Sequence, residues 1–221
     1  MLVKVNELAF QNPSGFIVLE GINGGGKSTL LNKINSYIQE KNLESICTRE
    51  PGAGELGTKI RKLIFESNNS LDPLTETCLF LSDRREHVKK IIEPALKAKQ
   101  IVLSDRYYYS TIVFQGYGRN LDIDMLIKLN HLIIEDTIPD LIILLDLDPE
   151  VGLRRTQQRK DNDGDSFEKE ALEFHKRLRF GFLDIANNFP EKFFVLDAEQ
   201  DQETLWNNTK PVIDQWLACL K

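Results

Sequence analysis

The 221-residue chain has few cysteines, and their placement gives no sign of the usual cysteine chemistries. Cys47, Cys78 and Cys219 show none of the paired spacings used by zinc sites, and their number is odd. We therefore expect reduced thiols with structural roles, as is typical of a cytosolic protein.

Long apolar runs and an excess of positive charge are also missing. No apolar stretch approaches the ~20 residues of a membrane-spanning helix. Residues 1–14, read as a short extension, lack the apolar region of a signal peptide. Lys and Arg number 28 against 34 Asp and Glu, so the net charge is -6. Because such a chain is a poor candidate for sequence-independent nucleic-acid binding, we expect a cytoplasmic protein with no membrane or nucleic-acid partner.

A glycine-rich stretch gives the strongest positive signal. Residues 21–28 match the P-loop pattern G-x-x-x-x-G-K-[ST], between an apolar strand-like segment and a helical pattern. Backbone N–H groups of such a loop curl around an anion at a helix N-terminus. Lys27 is predicted to reach the β- and γ-phosphates of a bound nucleotide, and Ser28 to ligate Mg²⁺. The predicted nucleotide-binding residues are Gly21, Ile22, Asn23, Gly24, Gly25, Gly26, Lys27, Ser28 and Thr29.

Five short apolar segments alternate with helical patterns along the chain. This order predicts an α/β fold with a doubly wound parallel sheet and helices on both of its faces. The predicted strands are 16–19, 45–48, 101–104, 141–145 and 193–196. A helix from Pro73 is predicted to break near Pro94, and another to end at a Gly116-Tyr117-Gly118 turn. No linker divides residues 1–221, so we predict one domain, with a small mobile lid at about 154–168.

The motifs that follow the P-loop resemble those of thymidylate kinases. Their order matches that family, and 48–52 and 174–178 resemble its bacterial form; the similarity runs from about Phe16 to Leu220. The motifs are Glu50-Pro51-Gly52, Phe80-Leu81-Ser82-Asp83-Arg84, Asp105-Arg106-Tyr107, Ser110, Gln115-Gly116 and the segment 154–168. The resemblance implies a five-stranded P-loop kinase that uses ATP and Mg²⁺ to phosphorylate dTMP to dTDP, usually as a homodimer.

The resemblance also implies roles for acceptor-site residues. Phe80 should stack on the thymine ring and Arg84 should hydrogen-bond to it, with Thr111 and Gln115 at the edge of the base. The remaining implied contacts are Arg106 and Arg61 with the acceptor phosphate, Glu50 and Pro51 in the acceptor wall, and Phe114 under the sugar. An aromatic face suits a base, and the planar guanidinium suits a phosphate.

Further residues are implied for catalysis. Asp105 should help to organise the magnesium shell together with Ser28. Because Lys27 is the only basic residue of the P-loop, the lid should supply more positive charge, from Arg159 first and Arg155 second.

Simpler interpretations remain for several positions. Phe80 could be a core residue, and Arg84 with Arg85 and Glu86 could form a solvated helix surface. Arg106 could pair only with Asp105, while the lid arginines could form an exposed basic turn.

Other functions remain open at this point. One alternative is a related P-loop kinase that acts on another nucleotide or deoxynucleoside, and another is a nucleotide-dependent switch without an acceptor. The guanine-reading N-K-x-D pattern of GTPase switches is missing, since the nearest string, 32–35, lies in the first helix and lacks the aspartate. His87, His131 and His175 match no carboxylate or cysteine pattern and are expected to be structural or on the surface.

Three positions depart from the family's pattern. Asn23 stands where the family usually has Asp or Glu, Ala53-Gly54 replaces a usual Gly-Thr, and 159–165 is slightly long. The acidic residue of the family accepts a hydrogen bond from the 3′-hydroxyl of the acceptor. Asn23 should hold this hydroxyl less strongly, because bonds to a charged acceptor are stronger. The alternative is that Asn23 only shapes the P-loop turn.

Overall fold

A computed structural model describes residues 10–65, 71–158 and 166–220. The strands are β1 (Phe16–Glu20), β2 (Ser45–Arg49), β3 (Ile101–Asp105), β4 (Leu141–Asp146) and β5 (Phe193–Asp197). The α-helices are α1 (Lys27–Glu40), α2 (Gly54–Phe65), α3 (Pro73–His87), α4 (Glu93–Lys97), α5 (Tyr108–Thr111), α6 (Ile123–Ile134), α7 (Pro149–Gln157), α8 (Leu172–Asn188) and α9 (Gln202–Leu217). Each of the five predicted strands is thereby confirmed.

These strands form one parallel sheet in the order β2-β3-β1-β4-β5. β1 lies in the centre and pairs with both β3 and β4. Right-handed crossovers from β1 to β2 and from β2 towards β5 run in opposite directions along the sheet. They therefore place α1 on one face and α3, α6 and α8 on the other, as predicted, and α9 packs against α1.

Apolar side chains of the central strands form the core. β1, β3 and β4 are almost entirely buried, as expected for parallel strands covered on both faces. The strands end in polar residues at one edge of the sheet, which are Glu20, Arg49, Asp105, Asp146 and Asp197. In open parallel sheets this edge is where ligands bind.

Of two local expectations for helix ends, one was wrong. The predicted turn at Gly116-Tyr117-Gly118 is instead part of a π-helix, Ile112–Gly118. A Cβ atom on Gly118 would lie 2.7 Å from the Phe174 ring, so this glycine lets the helix pack closely against α8. The break expected near Pro94 is present: a π-helical turn, Val88–Ile92, separates α3 from α4, and Pro94 lies in the first turn of α4.

Three further expectations concern the cap of α3, the predicted lid and membrane-spanning helices. Asp72 caps α3 as predicted, because its carboxylate accepts from the backbone N–H groups of Leu74 and Thr75. Residues 159–165 of the predicted lid, which include Arg159, lie outside the described residues. Within the described parts of the chain, no helix combines the length and apolarity that crossing a membrane requires.

Candidate active site

The P-loop joins β1 to α1 in a conformation that its glycines permit. Gly24 has a φ angle of 83°, and a Cβ atom there would lie 2.5 Å from the carbonyl oxygen of Gly152. Only glycine combines this backbone with such a close approach. Lys27 begins α1 and directs its ammonium back across the loop, donating to the carbonyl oxygens of Gly21 (3.1 Å) and Ile22 (2.9 Å). Its charge thus lies at the loop predicted to hold phosphates.

The two predicted magnesium ligands are neighbours. The Ser28 hydroxyl donates to Asp105 Oδ2 over 2.7 Å, across the gap between α1 and the end of β3. Among the described residues, no group of three or more His, Cys, Asp or Glu side chains could hold a metal ion by itself. One hydroxyl and one carboxylate fit Mg²⁺ nevertheless, since this ion is commonly bound by one or two carboxylates together with water and substrate phosphates.

Arg106 is held between the P-loop and the helix that follows β3. Its φ angle is 73°, a conformation uncommon for residues other than glycine. The guanidinium donates to the Gly21 carbonyl at 2.8 Å, to the Ser110 hydroxyl at 3.0 Å and to Asn23 Oδ1 at 2.6 Å. These contacts differ from the simple pairing with Asp105 considered above, and they aim Arg106 across the mouth of the P-loop.

Glu20 supports this arrangement and was missed in the sequence. The carboxylate is fully buried and accepts from the Tyr107 N–H at 2.9 Å and the Ser110 hydroxyl at 2.7 Å, and it lies 3.8 Å from Arg106. Burial raises the pKa of the Glu20 carboxyl, although the Arg106 charge opposes this. A charged residue at the end of an otherwise apolar buried strand was the available signal.

A cavity of about 440 Å³ lies between the P-loop and the loop after β2. Positive side chains line it from four elements of the fold, and carboxylates lie among them. The cations are Lys27, Arg49, Arg61 and Arg106, and the acids are Glu50, Asp105 and Glu168. Of the cations, Arg49 had been given no role from the sequence. This central cavity has the charge that two facing phosphate groups require.

An aromatic pocket adjoins the central cavity and gathers the predicted base-binding residues. Its lining includes Phe80, Arg84, Thr111, Phe114 and Gln115, with Glu50, Pro51 and Arg106 at the border to the central cavity. Phe80 and Phe114 are nearly buried yet face this pocket. The space within it is small, about 30 Å³.

Arg84 is a buried residue with several hydrogen-bond partners, and it does not lie on a solvated helix surface. It is 1% exposed, and all of its N–H groups point at acceptors of the protein. The acceptors are Glu50 Oε2, Thr111 Oγ1, Asn130 Oδ1 and the Tyr107 carbonyl, at 2.6–3.2 Å. A hydrogen bond from Arg84 to a base therefore requires the exchange of one of these contacts.

Glu50 is the partner that organises the loop after β2. It accepts from Arg84 and lies 2.8 Å from His87 Nδ1, while the Thr48 hydroxyl lies 2.7 Å from His87 Nε2. His87 is fully buried, which agrees with the expected structural role, and its contact with Glu50, 37 positions away, arises only in the fold. His175 is buried and His131 exposed.

Asp83 lies against the same loop. Its Oδ1 accepts from the Gly52 N–H at 3.2 Å, while Oδ2 is buried and has no hydrogen-bond partner. Burial, reinforced by the nearby Glu50 charge, raises the Asp83 pKa to about 6. The loop thus contacts a carboxyl group of which only one oxygen is hydrogen-bonded.

A third cavity, of about 500 Å³, lies on the other side of the P-loop. It is lined by Gly24, Gly25, Gly26, Thr29 and Leu30 together with Arg155 and the segment 198–202 after β5. Arg155 donates to the Ala198 carbonyl at 2.8 Å, which places this predicted lid residue beside the glycine loop. Nothing in the sequence marked the segment 198–202, because its contribution comes from its position at the carboxyl end of β5.

The three cavities lie next to one another in a row across the site. The 500 Å³ cavity, the cation-lined cavity and the aromatic pocket share lining residues in turn, with the P-loop between the first two. Such an arrangement can hold one nucleotide on either side of a phosphate-transfer point. Arg61 lies at this point, where it donates to the Pro51 carbonyl at 3.1 Å.

Comparisons with known proteins agree on the family. The family model for thymidylate kinase matches residues 19–208. The thymidylate kinase of Carboxydothermus hydrogenoformans is 41% identical over 199 residues, which are 90% of this chain and 96% of the relative. That of Clostridium novyi is 35% identical over 200 residues, 90% of this chain and 98% of the relative.

A solved structure supports the same assignment. The crystal structure of thymidylate kinase from Ehrlichia chaffeensis is 37% identical, has a TM-score of 0.68, and covers 82% of this chain and 91% of its own. The similarity thus extends over most of both chains. The chain belongs to the thymidylate kinase family.

Proposed function

We infer that this chain transfers the γ-phosphate of ATP to dTMP, forming dTDP and ADP, as a step towards dTTP. The observation that carries this inference is the central cavity, which four cations line between the P-loop and an aromatic pocket. Two phosphate groups that meet in one site repel each other, and fixed positive charges offset this repulsion. An aromatic pocket next to these charges suits a nucleotide acceptor.

The donor nucleotide occupies the P-loop side in this proposal. Backbone N–H groups of residues 21–26 and the N-terminus of α1 bind its phosphates. Lys27 turns from the carbonyl oxygens of the loop towards the β- and γ-phosphates, where it neutralises charge that develops during transfer. The adenine lies in the 500 Å³ cavity beside Thr29, Arg155 and the segment 198–202.

Magnesium fits the proposal through Ser28 and Asp105. Their hydroxyl and carboxylate lie at hydrogen-bonding distance from each other, at the end of the P-loop. Bound there with phosphate oxygens, the ion would supply Lewis-acid stabilisation of the transferring group. The residues of the chain position the donor and acceptor phosphates so that the attacking oxygen lies in line with the bond that breaks.

The acceptor dTMP lies with its base in the aromatic pocket and its phosphate in the central cavity. Phe80 stacks on the thymine, Thr111 and Gln115 face its edge, and Phe114 lies under the sugar. Arg106 and Arg61 hold the phosphate, whose ionised oxygen attacks the γ-phosphorus, so the step needs no separate base. Arg84 fixes Thr111 and Glu50 and reaches the base by exchanging one of its present contacts.

We also propose that the protein is a homodimer and acts in the cytoplasm as a single domain with a lid at about 154–168. Adjacent helices α2, α3 and α6 carry exposed leucines that suit a contact between two copies, namely Leu56, Leu63, Leu74 and Leu132. Sedimentation equilibrium tests this: a Leu63→Glu variant should dissociate, whereas a monomeric unmodified protein contradicts the dimer.

A coupled assay of ADP release tests the proposed activity directly. With ATP and Mg²⁺, dTMP should give the highest kcat/KM in a panel of nucleoside monophosphates, with dUMP next and purines near background. Equal or higher activity with AMP, GMP or CMP would contradict the assignment. Thymidine itself, which lacks the acceptor phosphate, serves as the negative control.

A further inference from the structure

Gln115 and Glu76 form a buried polar pair beside the aromatic pocket. Gln115 lies on the π-helix Ile112–Gly118 and is 1% exposed, and Glu76 lies in the first turn of α3 and is 6% exposed. The side-chain Nε2 of Gln115 donates to Glu76 Oε1 over 3.0 Å. Gln115 is among the residues that line the pocket, whereas Glu76 is not part of the described lining. These contacts therefore connect Glu76 to a bound base through Gln115.

The hydrogen bond determines which end of the Gln115 amide faces Glu76. A carboxylate can only accept hydrogen bonds, so it must meet the NH₂ end of the amide. The carbonyl oxygen Oε1 stands at the other end of the planar group, and Gln115 thus presents an acceptor to the pocket that it lines. Burial reinforces this orientation, because a reversed amide would set two oxygens against each other away from water.

Arg119 balances the charge of Glu76. Its Nε lies 3.6 Å from Glu76 Oε1, and the same guanidinium also pairs with Glu170. A buried carboxylate needs such a partner. Since a guanidinium can only donate, it too keeps Glu76 as an acceptor and leaves the direction of the bond from Gln115 unchanged.

An acceptor at this position can distinguish between pyrimidine bases. N3 of thymine and uracil carries a hydrogen and donates, whereas N3 of cytosine carries a lone pair and accepts. An oxygen of Gln115 that faces N3 pairs with the first kind of base and repels the second. A site built to hydrogen-bond one substrate group rejects an analogue without it, because polar groups are then left unpaired.

We propose that Glu76 is a positioning residue that sets the base specificity of the acceptor site, by holding Gln115 with its Oε1 towards N3 of a pyrimidine-2,4-dione. This inference rests on the proposed function, whose acceptor preference it explains. Without the Glu76 carboxylate the Gln115 amide can rotate, and a reversed amide offers a donor to N3 of cytosine. The preference between the two kinds of base should then fall while phosphate transfer continues.

Glu76→Met tests the proposal, because it removes the acceptor and keeps a similar side-chain volume. Isothermal titration calorimetry compares the Kd of dTMP with that of 5-methyl-dCMP, whose base differs from thymine only at C4 and N3. The unmodified protein should bind dTMP more tightly. Glu76→Met should reduce this preference by about 5- to 150-fold, the effect of leaving one buried polar group unpaired, with a change of less than about threefold in kcat for dTMP. The smaller Glu76→Ala should give the same result, and Glu76→Gln, which keeps an acceptor oxygen, should retain more of the preference.

Two controls separate this role from a general one. Glu170→Met removes the other carboxylate on Arg119 but leaves the bond between Glu76 and Gln115, so the preference should stay within about threefold of its original value. A double-mutant cycle with Gln115→Leu shows whether Glu76 acts through Gln115. Once Gln115 is replaced, Glu76→Met should no longer alter the preference.

Several results would overturn the proposal. Equal Kd values of the two nucleotides in the unmodified protein, or an unchanged preference in Glu76→Met and Glu76→Ala, mean that Glu76 does not set the specificity. An equal loss in Glu170→Met means that only the charge balance matters, and a further loss in the Gln115→Leu background means that Glu76 acts by another route. Equal weakening of both nucleotides together with a lower melting temperature means that Glu76 only supports the fold. Failure of the unmodified protein to phosphorylate dTMP would instead contradict the proposed function.

Discussion

Replacement of Arg84 by methionine tests whether the acceptor site is held by a buried ion pair. The substitution keeps much of the side-chain volume but removes the guanidinium, which is 1% exposed and pairs with Glu50 at 2.7 Å. It also leaves Asn130 Oδ1 and the Tyr107 carbonyl without the donor that each has now. The Glu50 carboxylate would remain buried, with His87 as its remaining partner among these contacts.

The expected loss of stability is large. Removal of one partner of a buried pair costs about 3–5 kcal/mol, because the other charge stays desolvated. For a domain of this size each kcal/mol lowers the melting temperature by about 2–4 °C. Differential scanning calorimetry should therefore record a decrease of about 6–20 °C for Arg84→Met.

The adjacent arginine is a matched control. Arg85 lies on the same helix but pairs with Glu135 at the surface, where its side chain is 39% exposed. Since exposed pairs contribute about 0–1 kcal/mol, Arg85→Met should shift the melting temperature by no more than about 4 °C. Equal shifts in the two variants would refute the reasoning that burial of the Arg84–Glu50 pair makes it structural.

Three further predictions concern the lid, the P-loop and Asp83. Arg159→Ala should lower kcat by ~10³ or more with little change in the KM for dTMP, and near-normal turnover in a coupled assay would show that the charge comes from elsewhere. Asn23→Asp should increase the preference for dTMP over its 3′-deoxy analogue, measured as a ratio of kcat/KM values; an unchanged ratio contradicts a contact with the 3′-hydroxyl. Because the Asp83 pKa is raised to about 6, the folded state binds the proton more tightly and loses stability as the pH rises from about 4 through 6. Asp83→Asn should therefore gain stability relative to the unmodified protein at pH 8 but not at pH 4 in urea titrations, and equal differences at both pH values would contradict the raised pKa.

Local patterns were sufficient to predict the sheet and the P-loop. The motif at 21–28 is sufficient to predict the backbone conformation of the loop, because glycines stand where the loop needs left-handed angles or close approaches. The family resemblance implied that Asp105 lies near Ser28, and the fold explains this, since parallel strands end at one edge of the sheet. Their 2.7 Å hydrogen bond agrees with that reasoning.

Pairings between distant positions could not be predicted in this way. Glu50 and His87 each look ordinary in the sequence, and their contact depends on how α3 packs against the end of β2. The buried role of Arg84 was hidden for the same reason, because its neighbours Arg85 and Glu86 made this part of α3 look like a solvated surface. These contacts depend on tertiary packing, which cannot be inferred from the local composition of the sequence.

Side chains that fill space were equally hard to assign. Gly118 was interpreted as part of a turn, yet its missing side chain admits the Phe174 ring and lets the π-helix continue. Phe167 lies in a polar stretch of sequence and gave no periodic signal, although it joins the aromatic pocket from another element. A ring contributed from a short helix far along the chain is visible only once the fold is known.

Direct identification of the products tests the central claim most sharply. The protein is incubated with Mg²⁺, dTMP and ATP labelled at its γ-phosphate, and the nucleotides are separated by anion-exchange chromatography. The account predicts that the label appears in dTDP, with one ADP formed for each dTDP. Label released as inorganic phosphate without dTDP would identify a nucleotide hydrolase or switch and would contradict the account.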